Sequence, residues 1–252
     1  MQNFKYISKK CASLPIALIL ITLWLCAESH AQTQPLESLN TPVANINKEN
    51  TNTPSALLIQ QLASSADLVA IVQVDLTSYD YKRGFPVDGY AALDVLITYK
   101  SSKPVSRIRI REKGLGQDLC YFPPTVPGQE GNRYLVFLAE HEDGDYRGHP
   151  LACSLQVLVT DDHAYALRVP LPEKVALTEQ QSLFVQPMSF SDPSAITGSA
   201  ELTDGRKEQL ASQVDGIVLE SGVKYTKGIS IQHFRDLIGA ENLKKPRPGS
   251  KY

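Results

Sequence analysis

Residues 68–81 read LVAIVQVDLTSYDY. From Leu68 to Val74 only Gln73 is polar, the pattern of a strand buried on both faces. From Leu76 the residues alternate, with Leu76, Ser78 and Asp80 opposite Thr77, Tyr79 and Tyr81. Residues 82–89 (KRGFPVDG) interrupt the strand with Gly84, Pro86 and Asp88-Gly89, which is turn chemistry. Residues 90–99 (YAALDVLITY) then form the second arm of a hairpin.

Further strands follow toward the C-terminus. Residues 105–111 (VSRIRIR) place Ile108 and Ile110 on one face and Arg107, Arg109 and Arg111 on the other, one dry and one wet. The Gly- and Pro-rich residues 113–131 form a loop that carries Cys120. Residues 133–140 (RYLVFLAE) are a buried strand, and 141–145 (HEDGD) a hairpin turn centred on Asp143-Gly144. Tyr146 to Leu151 returns, and a last hairpin joins 154–160 (SLQVLVT) to 163–169 over Asp161-Asp162. Short strands with closely spaced turns predict a mainly β fold, a barrel or a sandwich, and closure into a barrel removes edges that would aggregate.

The flanks differ in texture. Lys5, Lys9 and Lys10 precede the charge-free run LPIALILITLWL at 14–25, and Ser29-His30-Ala31 supplies small residues for a signal peptidase. This predicts a signal peptide at 1–31, cleaved after Ala31. The run is short for a membrane span, so no transmembrane segment is expected in the mature chain. Cys26 follows Leu23-Trp24-Leu25, too bulky for a lipid-attachment site. Cleavage removes Lys5, Lys9, Lys10 and Glu28, a net +2, and takes the formal charge from −2 to −4. An acidic exported chain is not an electrostatic binder of nucleic acid. Residues 32–54, rich in Asn, Thr and Pro, read as a disordered linker. Ser55 is placed to cap a short helix carrying Leu57, Leu58 and Leu62. The barrel domain is expected over 55–169. Residues 170–252 are expected to hold an irregular connection, a helix over 203–220, a short helix over 230–239 stopped by Gly239, and a loose basic tail at 244–252.

The run SADLVAIVQV from Ser65, ALDVLITYKS from Ala92, the Arg/Ile strand, the Cys120 loop, GQEGNRYLVFLAE from Gly128 and then Cys153 resemble the tissue-inhibitor-of-metalloproteinases-like, or netrin-like, module. The resemblance covers residues 65–160. It implies an OB-type five-stranded barrel, here with flanking C-terminal α-helices, whose cysteines are Cys120 and Cys153. The eukaryotic inhibitors of that family chelate a protease zinc through a mature N-terminal cysteine. This chain would begin at Gln32, so the fold carries over and that inhibitory mode does not.

Two cysteines remain after cleavage, which in an exported chain reads as one disulfide between Cys120 and Cys153. Closing that loop stabilises by roughly 3–4 kcal/mol. The alternative is a zinc site with His149 and His163, but the ligands lack close pairing. The acidic turn Glu140, Glu142, Asp143 and Asp145 reads as a solvated tip before it reads as a calcium loop. There is no nucleophile elbow, P-loop or dinucleotide fingerprint, so no cofactor and no metal are expected and no catalytic residue is assigned. Two surfaces remain: the tyrosine hairpin (Tyr79, Tyr81, with Phe85 and Tyr90 near it) and the basic stripe Arg107, Arg109, Arg111, which lacks interleaved aromatics. They point to an exported binding module whose partner is an envelope or extracellular protein or glycan. The alternatives are a protease inhibitor acting by a loop and a hydrolase assembled from His149, His163 and Asp161. The exported protein, thiol-blocked without reductant and denatured, is expected to show by mass spectrometry a chain starting at Gln32 with no blocked cysteine.

Overall fold

In the computed structural model the described residues are 56–115, 119–125, 130–150 and 152–239, all within one unit spanning 51–252. The expected signal peptide and its cleavage point, the linker, Ser55 and the basic tail lie outside them.

Nine strands form the main sheet: β1 (Leu68–Lys82), β2 (Phe85–Lys100), β3 (Arg107–Lys113), β4 (Arg133–Glu140), β5 (Tyr146–Gly148), β6 (Ser154–Val159), β7 (Tyr165–Val169), β8 (Val185–Pro187) and β9 (Lys227–Ser230). Five close on themselves in the order β1-β2-β3-β5-β4-β1, with β3 and β5 parallel at Ile110↔Tyr146. This is a small β-barrel of OB type, mainly antiparallel. The other four extend the sheet from β4 in the order β6-β7-β9-β8.

Strand β4 makes both possible. One of its edges pairs with β1 from Leu138↔Leu68 to Arg133↔Gln73. The other is divided: Leu138–Glu140 pair with β5, and Arg133–Val136 pair with β6. Between β5 and β6 the chain bulges opposite Phe137, whose N–H donates to the Cys153 carbonyl while its carbonyl accepts from His149 N–H. The bulge parts the barrel from the open sheet without leaving Phe137 unpaired.

The two faces of β1 and β4 fill different cores. Leu68, Ala70, Val72 and Val74 point into the barrel with Tyr134, Val136 and Leu138, where they meet Leu93, Ile108, Ile110 and Phe122. Val69, Ile71, Leu135 and Phe137 point outward, under helices α1 (Ile59–Ser65) and α4 (Phe234–Ile238). This is the strand dry on both faces that the apolar run predicts. The remaining described helices are α2 (Glu179–Ser182) and α3 (Asp204–Val214). Buried Gln181 of α2 donates through Nε2 to the Leu237 carbonyl and ties α2 to α4. A third core, with Phe190, Val214 and Tyr225, covers Leu158 and Ala166.

Some elements differ from expectation. Leu57–Leu58 pair with Val175–Ala176 instead of opening α1. The helix expected to reach Glu220 stops at Val214, where Asp215 turns left-handed (φ 51°), and Ile217–Leu219 become a strand of a small sheet with Gly222–Lys224. Three β-branched or aliphatic residues in a row suit that strand better than a helix end. The short helix expected over 230–239 is present but starts later: Ser230 ends β9, Ile231–His233 form a 3-10 turn and α4 begins at Phe234.

Cys120 and Cys153 form a disulfide, with Cα atoms 5.8 Å apart. Their sulfurs are bonded to each other, which leaves neither as a metal ligand. Gly148 passes against the bridge, and a Cβ there would lie 2.6 Å from Cys120 Cβ and 2.8 Å from Cys153 Cβ.

Phe234 is fully buried over β1 and β4. Phe234→Ala is expected to destabilise the whole unit by about 3–5 kcal/mol, read as a lower midpoint of one cooperative urea transition.

Candidate functional site

The outer face of β1, β2 and β3 forms cross-strand rows. Leu76 lies beside Ala92 and Arg109, Ser78 beside Tyr90 and Arg111, and Asp80 beside Asp88 and Lys113. A bulge sets this arrangement. Asp75 is the extra residue between Val74↔Leu93 and Leu76↔Ala92, so the phase of β1 reverses there. Leu76 turns outward, 47% exposed, and Tyr79 turns toward the barrel end.

Tyr79 is a support. Its ring meets Tyr121 edge-on at 5.1 Å, and its hydroxyl oxygen accepts from Phe122 N–H at 3.1 Å. Burial pushes its phenol up to about 12, although the Phe122 N–H favours the phenolate. The Tyr79–Tyr121 contact therefore links the base of the hairpin to the segment held by the disulfide at Cys120. Tyr81 stands beyond it, 54% exposed and edge-on to Tyr79 at 6.5 Å. Phe85, 66% exposed, sits across from Lys82 at the tip. Tyr81 pairs with Pro86 and Lys82 with Phe85, so the two aromatics lie on opposite faces of the hairpin end.

The arginine stripe does not act as three free cations. Arg107 is paired with Asp75 and lies 3.8 Å from Asp94. Arg109 donates from Nε to Asp145 Oδ1 at 2.7 Å, and its guanidinium carbon lies 5.6 Å from the Tyr90 ring centre. The loop before β5 supplies Asp145, whose side chain is only 8% exposed. Its backbone N–H in turn donates to Asp143 Oδ1, which with His141 holds the Asp143 carboxyl below its usual range. Arg111 is exposed, and among the described residues it has no acidic partner. The acidic turn is thus engaged with neighbours: Glu140 with Lys103, Asp145 with Arg109, Asp143 with His141.

The sequence pattern puts Tyr90 near the hairpin but not within the stripe. The cross-strand register puts it there, and only an explicit β2–β3 pairing would have revealed it. Glu112 was also missed: it alternates with the arginines and so enters the barrel, where its carboxylate accepts from Gly148 N–H at 2.9 Å.

The residues of the hydrolase alternative are not brought together. Asp161 and His163 occupy the β6–β7 turn, whereas His149 lies beyond the other end of β6, roughly 20 Å along the strand. His149 Nε2 does approach Ser65 Oγ at 3.1 Å. That hydroxyl also reaches the Gln61 and Leu62 carbonyls, at 3.0 and 3.1 Å, which take its proton, so it is not poised as a nucleophile. Burial lowers the His149 imidazole below its ordinary value. Among the described residues no group of three or more His, Cys, Asp or Glu side chains is arranged to hold a metal, and no helix is long and apolar enough to cross a membrane.

No family model matches this chain. Nor is any curated protein or solved structure significantly similar to it. Site assignments rest on geometry.

Because the folded pKa of Tyr79 lies above the ordinary 10, its contribution to stability is complete below about pH 10 and is lost as pH rises toward about 12. Tyr99, also pushed up to about 12 by burial, contributes with the same sign. The loss of unfolding free energy between about pH 9 and about pH 11.5 is expected to be smaller in Tyr79→Phe than in the parent, measured by urea denaturation.

Proposed function

We propose that this chain is an exported, non-catalytic binding module that engages a partner protein through the end of the β1–β2 hairpin and the adjoining Tyr90–Arg111 row. The observation that carries the reading is the pair of exposed aromatics, Tyr81 and Phe85, on a hairpin whose base is braced by Tyr79, Tyr121 and the disulfide-held segment. Large aromatics and arginine dominate protein interfaces, and a braced support lowers the ordering cost of binding. Exposed Leu76 on the outer face, beside the Arg109 row, favours a protein surface over a glycan.

Export is supported by the N-terminal sequence and by the disulfide, which suits an oxidising compartment. The netrin-like reading is supported by the five-stranded barrel and by a bridge joining the loop before β4 to the segment after β5. Charge pairing on the stripe counts against a polyanion, because Arg107 and Arg109 already have carboxylate partners.

A photo-crosslinking residue at position 81 or 85, in cells exporting the protein, is expected to give one discrete protein adduct absent when the probe replaces Glu208 on exposed α3. Adding Arg111→Ala is expected to weaken the adduct several-fold, as loss of an interface arginine does. Absence of an adduct, or the same adduct from all positions, would reject the hairpin as the binding surface. An adduct that is glycan would correct the partner class.

A further inference from the structure

Away from the hairpin, residues 130–133 face Ser191–Ser194 across a cleft of about 450 Å³. That volume is ample for a small ligand or a chain end. Most of the residues that line it are polar, and one cation dominates it: Arg133, the first residue of β4, whose side chain is only 12% exposed. The guanidinium packs against Tyr165, 5.7 Å from the ring centre. Asp192, 8% exposed, lies 3.7 Å from Arg133 Nη1, too far for a hydrogen bond. Asp192 has other duties. Its Oδ1 accepts from Ser194 N–H at 2.9 Å and its Oδ2 from Val159 N–H at 3.3 Å, which fixes the turn that forms the cleft wall. Arg133 Nη2 donates to Glu130, and Arg133 Nε is buried with no partner among the described residues. A nearly buried guanidinium thus keeps an unused donor, which costs free energy until an acceptor arrives.

We propose that this cleft binds a carboxylate in the fork of Arg133, and that Glu130 holds that place in the unliganded protein. Glu130 is suited to leave, being 76% exposed at its side chain and three residues from Arg133. A guanidinium presents a planar fork that a carboxylate meets with two parallel hydrogen bonds, so a ligand reaching both Nε and Nη2 would satisfy the orphan donor, unlike Glu130. The exchange replaces one carboxylate by another at the guanidinium. Ser194 Oγ donates to Asn132 Oδ1, which fixes the Asn132 amide in the cleft wall, and the same amide also bonds the Tyr134 phenol. The chemistry is shared by a small organic acid and by the C-terminal carboxylate of a peptide. The proposal is independent of the hairpin reading.

The test is NMR titration of the mature protein, following the Arg133 Nε–H and the Ser191 and Ser194 amides. Succinate, acetyl-trialanine with a free C-terminus and its C-terminal amide are added at ionic strength matched with chloride. Saturable shifts with at least one acid and none with the amide or chloride are expected, and which acid binds tells small acid from chain end. Glu130→Gln, a change at an exposed side chain, is expected to tighten binding up to about fivefold, since exposed ion pairs are weak. Arg133→Gln should abolish it. No saturable shift with either acid, equal shifts with the amide, or weaker binding in Glu130→Gln would each overturn the proposal.

Discussion

Strands β1 and β4 pair over six residues, from Leu68↔Leu138 to Gln73↔Arg133, in a layer with little access to water on either face. A backbone in that position must meet all its hydrogen bonds from protein, and the ladder does so. Every other part of the unit depends on it. The barrel closes on its inner face, and α1 and α4 cover its outer face. The free edge of β4 is shared by β5 and β6, which divides one sheet into a barrel and an extension at the bulge opposite Phe137. The disulfide sits beside that division, with Gly148 pressed against it where a side chain has no room.

Polar groups are arranged around this layer in two ways. On the outer barrel face the cations are largely answered locally, Arg107 by Asp75 and Arg109 by Asp145, so the face carries little net field and exposes Leu76, while beyond it Phe85 and Tyr81 are exposed on opposite faces of the hairpin end. At the start of β4 the opposite holds. Arg133 is held close to the core by Tyr165 and by the wall built on Asp192, and its Nε has no partner among the described residues. The first arrangement suits a shape-reading surface and the second a small, charge-reading cleft.

Strand content, the hairpins and the inward–outward alternation of 107–111 were legible because side-chain period is a local property. The helix over 203–220 was over-extended because helical spacing of Leu210, Val214 and Ile217 continues past the point where Asp215 turns the chain and Gly222–Lys224 offers a strand partner. Tyr79 and Tyr81 could be read as neighbours on one face. Their different roles could not, because what separates them is the meeting of Tyr79 with Tyr121 and the Phe122 N–H, more than 40 positions away, while Tyr81 extends past that support.

By itself the sequence determined the β class, the doubly buried strand, the pairing of Cys120 with Cys153 and the absence of recognised catalytic motifs. Each follows from composition, period or spacing along the chain. Tertiary structure decided barrel closure through β3 and β5, the pairing of the arginines with Asp75 and Asp145, the bracing of Tyr79 by Tyr121, and the meeting of Arg133 with Asp192 across 59 positions. These are contacts between residues far apart in the chain, and no local pattern encodes which distant partner will be adjacent once the two faces of β1 and β4 are covered.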